Sequence, residues 1–256
     1  PELELDLPQT MAYLTNELKQ LPCQLEFPMH SAILAFFNND CEKTVAFRSD
    51  MDALPVEEKT NVSYQSKHKG IMHACGHDGH MTILLGFAHH LATYFHTLDH
   101  NVLLIFQPGE ENPGGARLLV EAGILEKYHV CCIYGMHLWP ELAAGSIATR
   151  KKSMMARSSE INIDIQGKSA HAAKYQEGCD ALETACRYLC DLYEMEEKIS
   201  PSEYRLLRFG VFQSGTIRNV VSDHTRLEGT IRACTDETFA YMRSQLEKIA
   251  VQYAPA

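Results

Sequence analysis

The sequence predicts an α/β protein: a mostly parallel sheet with helices between its strands, followed by a smaller α+β domain. Three observations predict this. Short, wholly apolar runs alternate with helical stretches through residues 1–155, each run ends in a cluster of chemistry-bearing polar residues, and the pattern changes over residues 156–256.

The first run, Thr44-Val45-Ala46-Phe47, leads into Arg48-Ser49-Asp50-Met51-Asp52. The second, Val102-Leu103-Leu104-Ile105-Phe106, leads through Gln107-Pro108-Gly109 into Glu110-Glu111, and the third, Val130-Cys131-Cys132-Ile133-Tyr134, through Gly135-Met136 into His137. Runs apolar throughout mark strands covered on both faces. Helical stretches from Met81 to His96 and from Ala116 to Glu126 lie between them. Strand-helix-strand-helix-strand order predicts parallel pairing. Such sheets bind ligands beyond the carboxyl ends of their strands, so Asp50, Asp52, Cys75, His77, Glu110, Glu111 and His137 are expected to converge there.

From about Ser158, Ile161-Asn162-Ile163-Asp164-Ile165 has the alternation of a half-exposed strand. A helix from Asp180 to about Ile199, strands near Leu206 to Gln213 and Arg226 to Ala233, and a helix from Asp236 to about Tyr253 follow. This is the order of a ferredoxin-like unit without its final strand.

The segment Met72-His73-Ala74-Cys75-Gly76-His77-Asp78-Gly79-His80 concentrates thiol, imidazole and carboxyl groups in one glycine-containing loop. A thiolate and an imidazole two residues apart can turn toward one cation, and sulfur and nitrogen donors suit zinc or neighbouring divalent ions. Glu110-Glu111 adds a division of labour, since adjacent side chains point in different directions. One carboxylate can bind metal while the other takes the proton of an activated water and passes it to a leaving nitrogen. His137 on its own fits a core histidine equally well.

Ser49-Asp50-Met51-Asp52-Ala53-Leu54-Pro55, Cys75-Gly76-His77-Asp78-Gly79-His80, Phe106-Gln107-Pro108-Gly109-Glu110-Glu111 and Gly135-Met136-His137 together resemble the amidohydrolase branch of the aminoacylase and carboxypeptidase metallopeptidase family. The resemblance implies a two-metal hydrolase that cleaves the amide of an N-acyl amino acid. By position, Cys75, His77, Glu111 and His137 match metal ligands, Glu110 the general base and acid, and Asp52 an acidic residue beside the metals with an orienting role. It implies a pair of divalent ions, zinc or manganese first, cobalt or nickel next, because all accept this donor set. It makes the second domain an inserted lid used for dimerisation. There Gly167-Lys168-Ser169-Ala170-His171 resembles a loop whose histidine stabilises the oxyanion in a partner subunit, Asn219 matches a substrate contact, and Arg232 matches an arginine that grips a substrate carboxylate.

Two departures bear on this reading. Lys174-Tyr175-Gln176 and Ser222 stand where the family has proline-containing sequence, and the family's remaining metal-ligand histidine lies in a C-terminal segment with no counterpart before Ala256. The expectation is therefore a piece of a longer chain, with an incomplete metal site. A dipeptidase of the same family, or an inactive relative kept as a binding or dimerisation module, are the competing readings.

A formal charge of -10 argues against nucleic acid or an anionic membrane as partner, and no run reaches the roughly 18 apolar residues of a membrane span. The nine cysteines have no regular spacing, and several fall in apolar runs, such as Cys131 and Cys132, or on helices, such as Cys186 and Cys190. Free, buried thiols in a reducing cytoplasm are expected.

Overall fold

A computed structural model describes residues 1–254 and divides the chain into two compact units, Pro1–Ala144 and Gly145–Ala256.

The first unit is built on a five-stranded sheet of β1 (Gln24–Glu26), β2 (Ile33–Phe37), β3 (Thr44–Asp50), β4 (Asn101–Gln107) and β5 (Val130–Gly135), in the order β1-β2-β4-β3-β5. The β3–β4 and β3–β5 pairs are parallel, whereas β2 runs antiparallel to both β1 and β4. Four strands thus share one direction. Every residue of β4 is buried, which is why its sequence is apolar throughout.

Helices cover both faces. On one face α1 (Pro8–Leu18) and α2 (His77–Tyr94) pack Leu14, Leu18, Met81, Leu84, Ala88 and Leu91 against Ile33, Ala35, Val102, Leu104 and Phe106. On the other, α3 (Gly115–Glu121) and α4 (Ile124–Lys127) pack Leu119 and Ile124 against Leu34, Ala46, Leu103 and Ile105. The chain therefore leaves β3 over one face and β4 over the other. A crevice opens outside the carboxyl ends of two such strands, and the polar clusters after β3 and β4 stand beside it.

Three local expectations need correction. The expected helix from Ala116 to Glu126 is two helices, broken where Gly123 adopts a left-handed φ of 69°. The helix expected from Met81 begins at His77, because Gly76 takes φ 83° and turns the chain into the first helical turn. The thiols are free, but Cys131, Cys132, Cys179, Cys186 and Cys190 are exposed rather than buried. β5 is an edge strand, and α5 (Ala181–Glu197) turns Cys186 and Cys190 away from its buried residues Ala185, Tyr188 and Leu192.

The second unit contains β6 (Arg157–Gln166), α5, β7 (Arg205–Ser214), β8 (His224–Ala233) and α6 (Asp236–Tyr253). Its antiparallel sheet has the order β6-β8-β7. Tyr188, Leu192 and Met195 of α5 and Phe239, Met242 and Ile249 of α6 form one cluster with Leu207, Leu227 and Ile231. Asp180 caps α5 by accepting from the N–H groups of Leu182 and Glu183, and Thr235 caps α6 through Thr238. No helix among the described residues is long and apolar enough to cross a membrane.

Candidate metal centre

Parallel register brings the polar clusters of the first unit together. Asp50 pairs with Gln107 and Arg48 with Gly135, so the chains leaving β3, β4 and β5 start level at one edge of the sheet. Gly109, at φ 61°, turns the chain after β4 so that both following N–H groups meet Asp52. Asp52 Oδ1 accepts from Glu110 N at 2.9 Å and its Oδ2 from Glu111 N at 3.1 Å. One buried carboxylate thereby sets the backbone of the glutamate pair.

His77, the first residue of α2, is 1% exposed, and neither ring nitrogen has a hydrogen-bond partner. Its Nδ1 lies 3.6 Å from Asp52 Oδ1, an electrostatic contact rather than a hydrogen bond. Its Nε2 lies 3.7 Å from Asp50 Oδ2, 3.8 Å from Glu110 Oε2 and 3.9 Å from Glu111 Oε1. A buried imidazole without partners is costly. Donor atoms sharing one zinc-sized ion sit about 2 Å from it and so roughly 3–4 Å from one another. Donor atoms of Cys75, His77 and Glu111 fall within 4.8 Å of each other, and Cys75 Sγ is 3.4 Å from His137 Nε2. His137 Nδ1 contacts the Leu138 carbonyl at 2.6 Å, which leaves Nε2 with its lone pair toward the thiol.

The electrostatics also call for a cation. Burial and then the carboxylates of Glu111, Glu110 and Asp50 push the Cys75 thiol up to about 12. Burial, followed by the charge of Glu111, raises the Glu110 carboxyl. Burial opposes the ionised form of Asp52, but His77 and the N–H groups of Glu110 and Glu111 outweigh it and hold the carboxyl low. Burial likewise works against an imidazolium at His77, and the neighbouring Asp52 and Asp50 overcome it. The donor types, the orphaned nitrogens and this excess of negative charge fit divalent metal ions.

Asp50, His77 and His80 form a second close group, but both His80 nitrogens are engaged. Nδ1 contacts Asp50 Oδ1 at 2.7 Å, and Nε2 accepts from Leu138 N at 2.9 Å. Arg48 donates to Asp50 Oδ2 at 2.8 Å and to Gln107 Oε1 at 2.7 Å. Sequence reasoning did not assign Arg48, Gln107 or His80 to the site. The spacing of His77 and His80 on one helix face was the available signal for His80.

In the second unit, His171 and Asn219 belong to loops that pair with each other. Ala172 N donates to Asn219 O at 2.9 Å and Val221 N to Ala170 O at 2.9 Å, while His171 bridges Val220. His171 Nδ1 accepts from Ala173 N at 3.1 Å, which leaves Nε2–H as an exposed donor. Arg232 stands near the other end of β8, opposite Ser158 and Leu206. At about 3.3 Å per residue the strand rises roughly 26 Å from His224 to Arg232. Asn219 belongs to the loop that precedes the start of that strand.

Residues 46–249 match the model of peptidase family M20/M25/M40. The chain is 35% identical over 255 residues to an N-acetyldiaminopimelate deacetylase of Priestia megaterium, covering 97% of this chain and 67% of the relative. It is 43% identical over 209 residues to the enzyme of that name from Shouchella clausii, covering 81% and 55%. A dinuclear metal-binding peptidase of the M20 family from Bacillus subtilis superposes with TM-score 0.81 at 31% identity, covering 99% of this chain and 67% of that one. The chain thus spans about two thirds of the length of its relatives. A family match over most of the residues, carried by a crevice whose donors suit metal, means that this chain belongs to peptidase family M20/M25/M40 and is a hydrolase of that family.

Proposed function

We propose that the chain carries the metal-binding and proton-transfer residues of an amidohydrolase acting on N-acyl amino acids. The unequal placement of the glutamate pair carries this reading. Glu111 lies in the close donor group with Cys75 and His77, whereas Glu110 lies outside it, 3.8 Å from His77 Nε2 with its carboxyl raised. Cys75, His77, Glu111 and His137 would hold two divalent ions, zinc or manganese first. When bound, the ions supply Lewis-acid polarisation of the amide carbonyl and acidify the attacking water.

Glu110, whose raised pKa suits it to both forms, takes a proton as water adds to the carbonyl carbon. It returns that proton to the nitrogen as the carbon–nitrogen bond breaks, releasing a carboxylic acid and an amine, which leave as carboxylate and ammonium once the acid's proton passes to the amine. Asp52 holds the peptide of Glu110 and Glu111 in place and faces His77, so it orients base and ligand together. His171 donates from Nε2 to the oxyanion, and Asn219 contacts the substrate in the same loop pair. With Arg232 gripping the substrate carboxylate, the distance along β8 favours a homodimer in which different copies supply these groups, residues 156–256 forming the lid. Nine free thiols suit a cytoplasmic setting.

The test is Glu110→Ala, assayed on an N-acetyl amino acid and on a dipeptide. Turnover should fall by about 2–4 orders of magnitude, the usual contribution of general acid–base catalysis, with metal content unchanged. Loss of metal together with activity would contradict the role of Glu110. Preference for the dipeptide would make the protein a dipeptidase.

A further inference from the structure

We infer that His80 is a positioning residue, an imidazole that fixes where His137 stands relative to His77. The inference rests on the metal-binding reading of those two histidines but concerns a residue that binds no metal. The His80 ring neighbours both of the others: its centroid is 5.4 Å from that of His77 and 4.6 Å from that of His137. It is 1% exposed and cannot swing aside without displacing the core.

Each ring nitrogen has one task. Nδ1 is anchored on Asp50, whose other oxygen is held by Arg48, so the ring is tied to the end of β3. Nε2 accepts from Leu138 N, the amide immediately after His137. That bond joins α2 to the segment after β5 across 58 residues of sequence. The side chain of Leu138 completes the clasp, lying against Gly76 and Gly79, where a Cβ on Gly79 would overlap its Cδ1. The segment bearing His137 is otherwise exposed and irregular, so this clasp is its tie to the helix that carries His77.

The two contacts are separable by substitution. His80→Gln places an amide oxygen at the ε position and preserves an acceptor for Leu138 N. His80→Asn places an amide N–H at the δ position and preserves the donor to Asp50 but not the acceptor. His80→Ala removes both. The protein stripped with chelator is titrated with cobalt(II), reading equilibrium dialysis, the cobalt ligand-field spectrum and the fluorescence of Trp139, the single tryptophan, whose ring is 6.2 Å from that of His137.

Outer partners of metal ligands change affinity by about 10–100-fold when removed. His80→Asn and His80→Ala should therefore lose that much affinity for one ion of the pair and alter its spectrum, and His80→Gln should stay within a few-fold of the parent. Thermal midpoints measured in chelator should be similar for the Asn and Gln variants, separating positioning from general stability. If His80→Ala does not fold, the Asn and Gln pair still decides. Parent-like cobalt binding by His80→Asn, or equal losses in Asn and Gln, would overturn the inference while leaving the metal reading intact. A parent protein that binds no cobalt would overturn both.

Discussion

Asp52→Ala in the metal-free protein tests whether one carboxylate organises the site before any ion arrives. Asp52 is 1% exposed and accepts two backbone hydrogen bonds, from Glu110 and Glu111. A hydrogen bond to a charged group contributes about 1.5–3 kcal/mol, so losing both sets an upper limit of roughly 3–6 kcal/mol. Glu110 and Glu111 are themselves exposed, so water replaces part of what is lost, and the expected cost falls to about 2–4 kcal/mol. Asp52→Asn keeps one oxygen acceptor and should lose about half as much. The pH dependence has a definite sign. The folded-state carboxyl is held low, so its contribution is fully present above the ordinary value of about 3.9 and fades as pH falls through the lower folded value. Urea unfolding in chelator, followed by Trp139 fluorescence at neutral pH and at about pH 3, gives the comparison. The parent and Asp52→Asn should differ at neutral pH and converge in acid. An Asp52→Ala protein with the parent's neutral midpoint, or a deficit that does not change with pH, would refute the reasoning.

Two glycines of α2 provide opposite expectations from one substitution. Gly86 is exposed with open space where a Cβ would stand, so Gly86→Ala should stabilise the first unit by about 0.5–1 kcal/mol in urea unfolding. Gly79→Ala gains the same helix propensity but drives a methyl into Leu138, and it should be net destabilising in the same assay; equal effects would remove the clasp. At the far edge of the sheet, Glu26 accepts from Lys127 and Tyr128, chiefly the former, and its carboxyl is held below the ordinary range. Glu26→Gln should cost about 0.5–1 kcal/mol at neutral pH, a deficit that shrinks as pH falls below the ordinary glutamate value of about 4.3 and is gone only once the lower folded-state value is passed; a deficit persisting through that range would assign the effect to packing.

The sheet was legible where burial dictates composition. β4 is buried at every position, so its run of apolar residues announces a central strand, and the residues after β3, β4 and β5 were readable as one site because parallel strands end at the same edge. β2 was not read as a strand, and its direction is in any case not legible, since an apolar run such as Ile33–Phe37 is the same for either orientation. Nor was α1, whose first turn carries no local cap. Its N–H groups at Gln9 and Thr10 are satisfied by Glu2, which lies before the helix and reaches it only once the chain has folded. His80 shows the same limit within the site. The sequence displays it beside His77, but its task depends on Leu138, and no local pattern links the two.

Charge balance argues for two ions rather than one in this crevice. Asp50, Asp52, Glu110 and Glu111 bring four carboxylates, and Arg48 is the fixed cation bonded among them. Fully ionised, the group has a net charge of -3. Burial first and then that excess raise both the Glu110 carboxyl and the Cys75 thiol, the two groups that can relieve it by holding protons. A single dication would leave the group negative, and ionising Cys75 as a ligand would make it more so. Two dications reverse the sign, and the thiolate then brings the total to zero with every carboxylate ionised. On the proposed assignment, that is the charge state in which Cys75 could ionise as a ligand without adding to a net negative charge around Glu110.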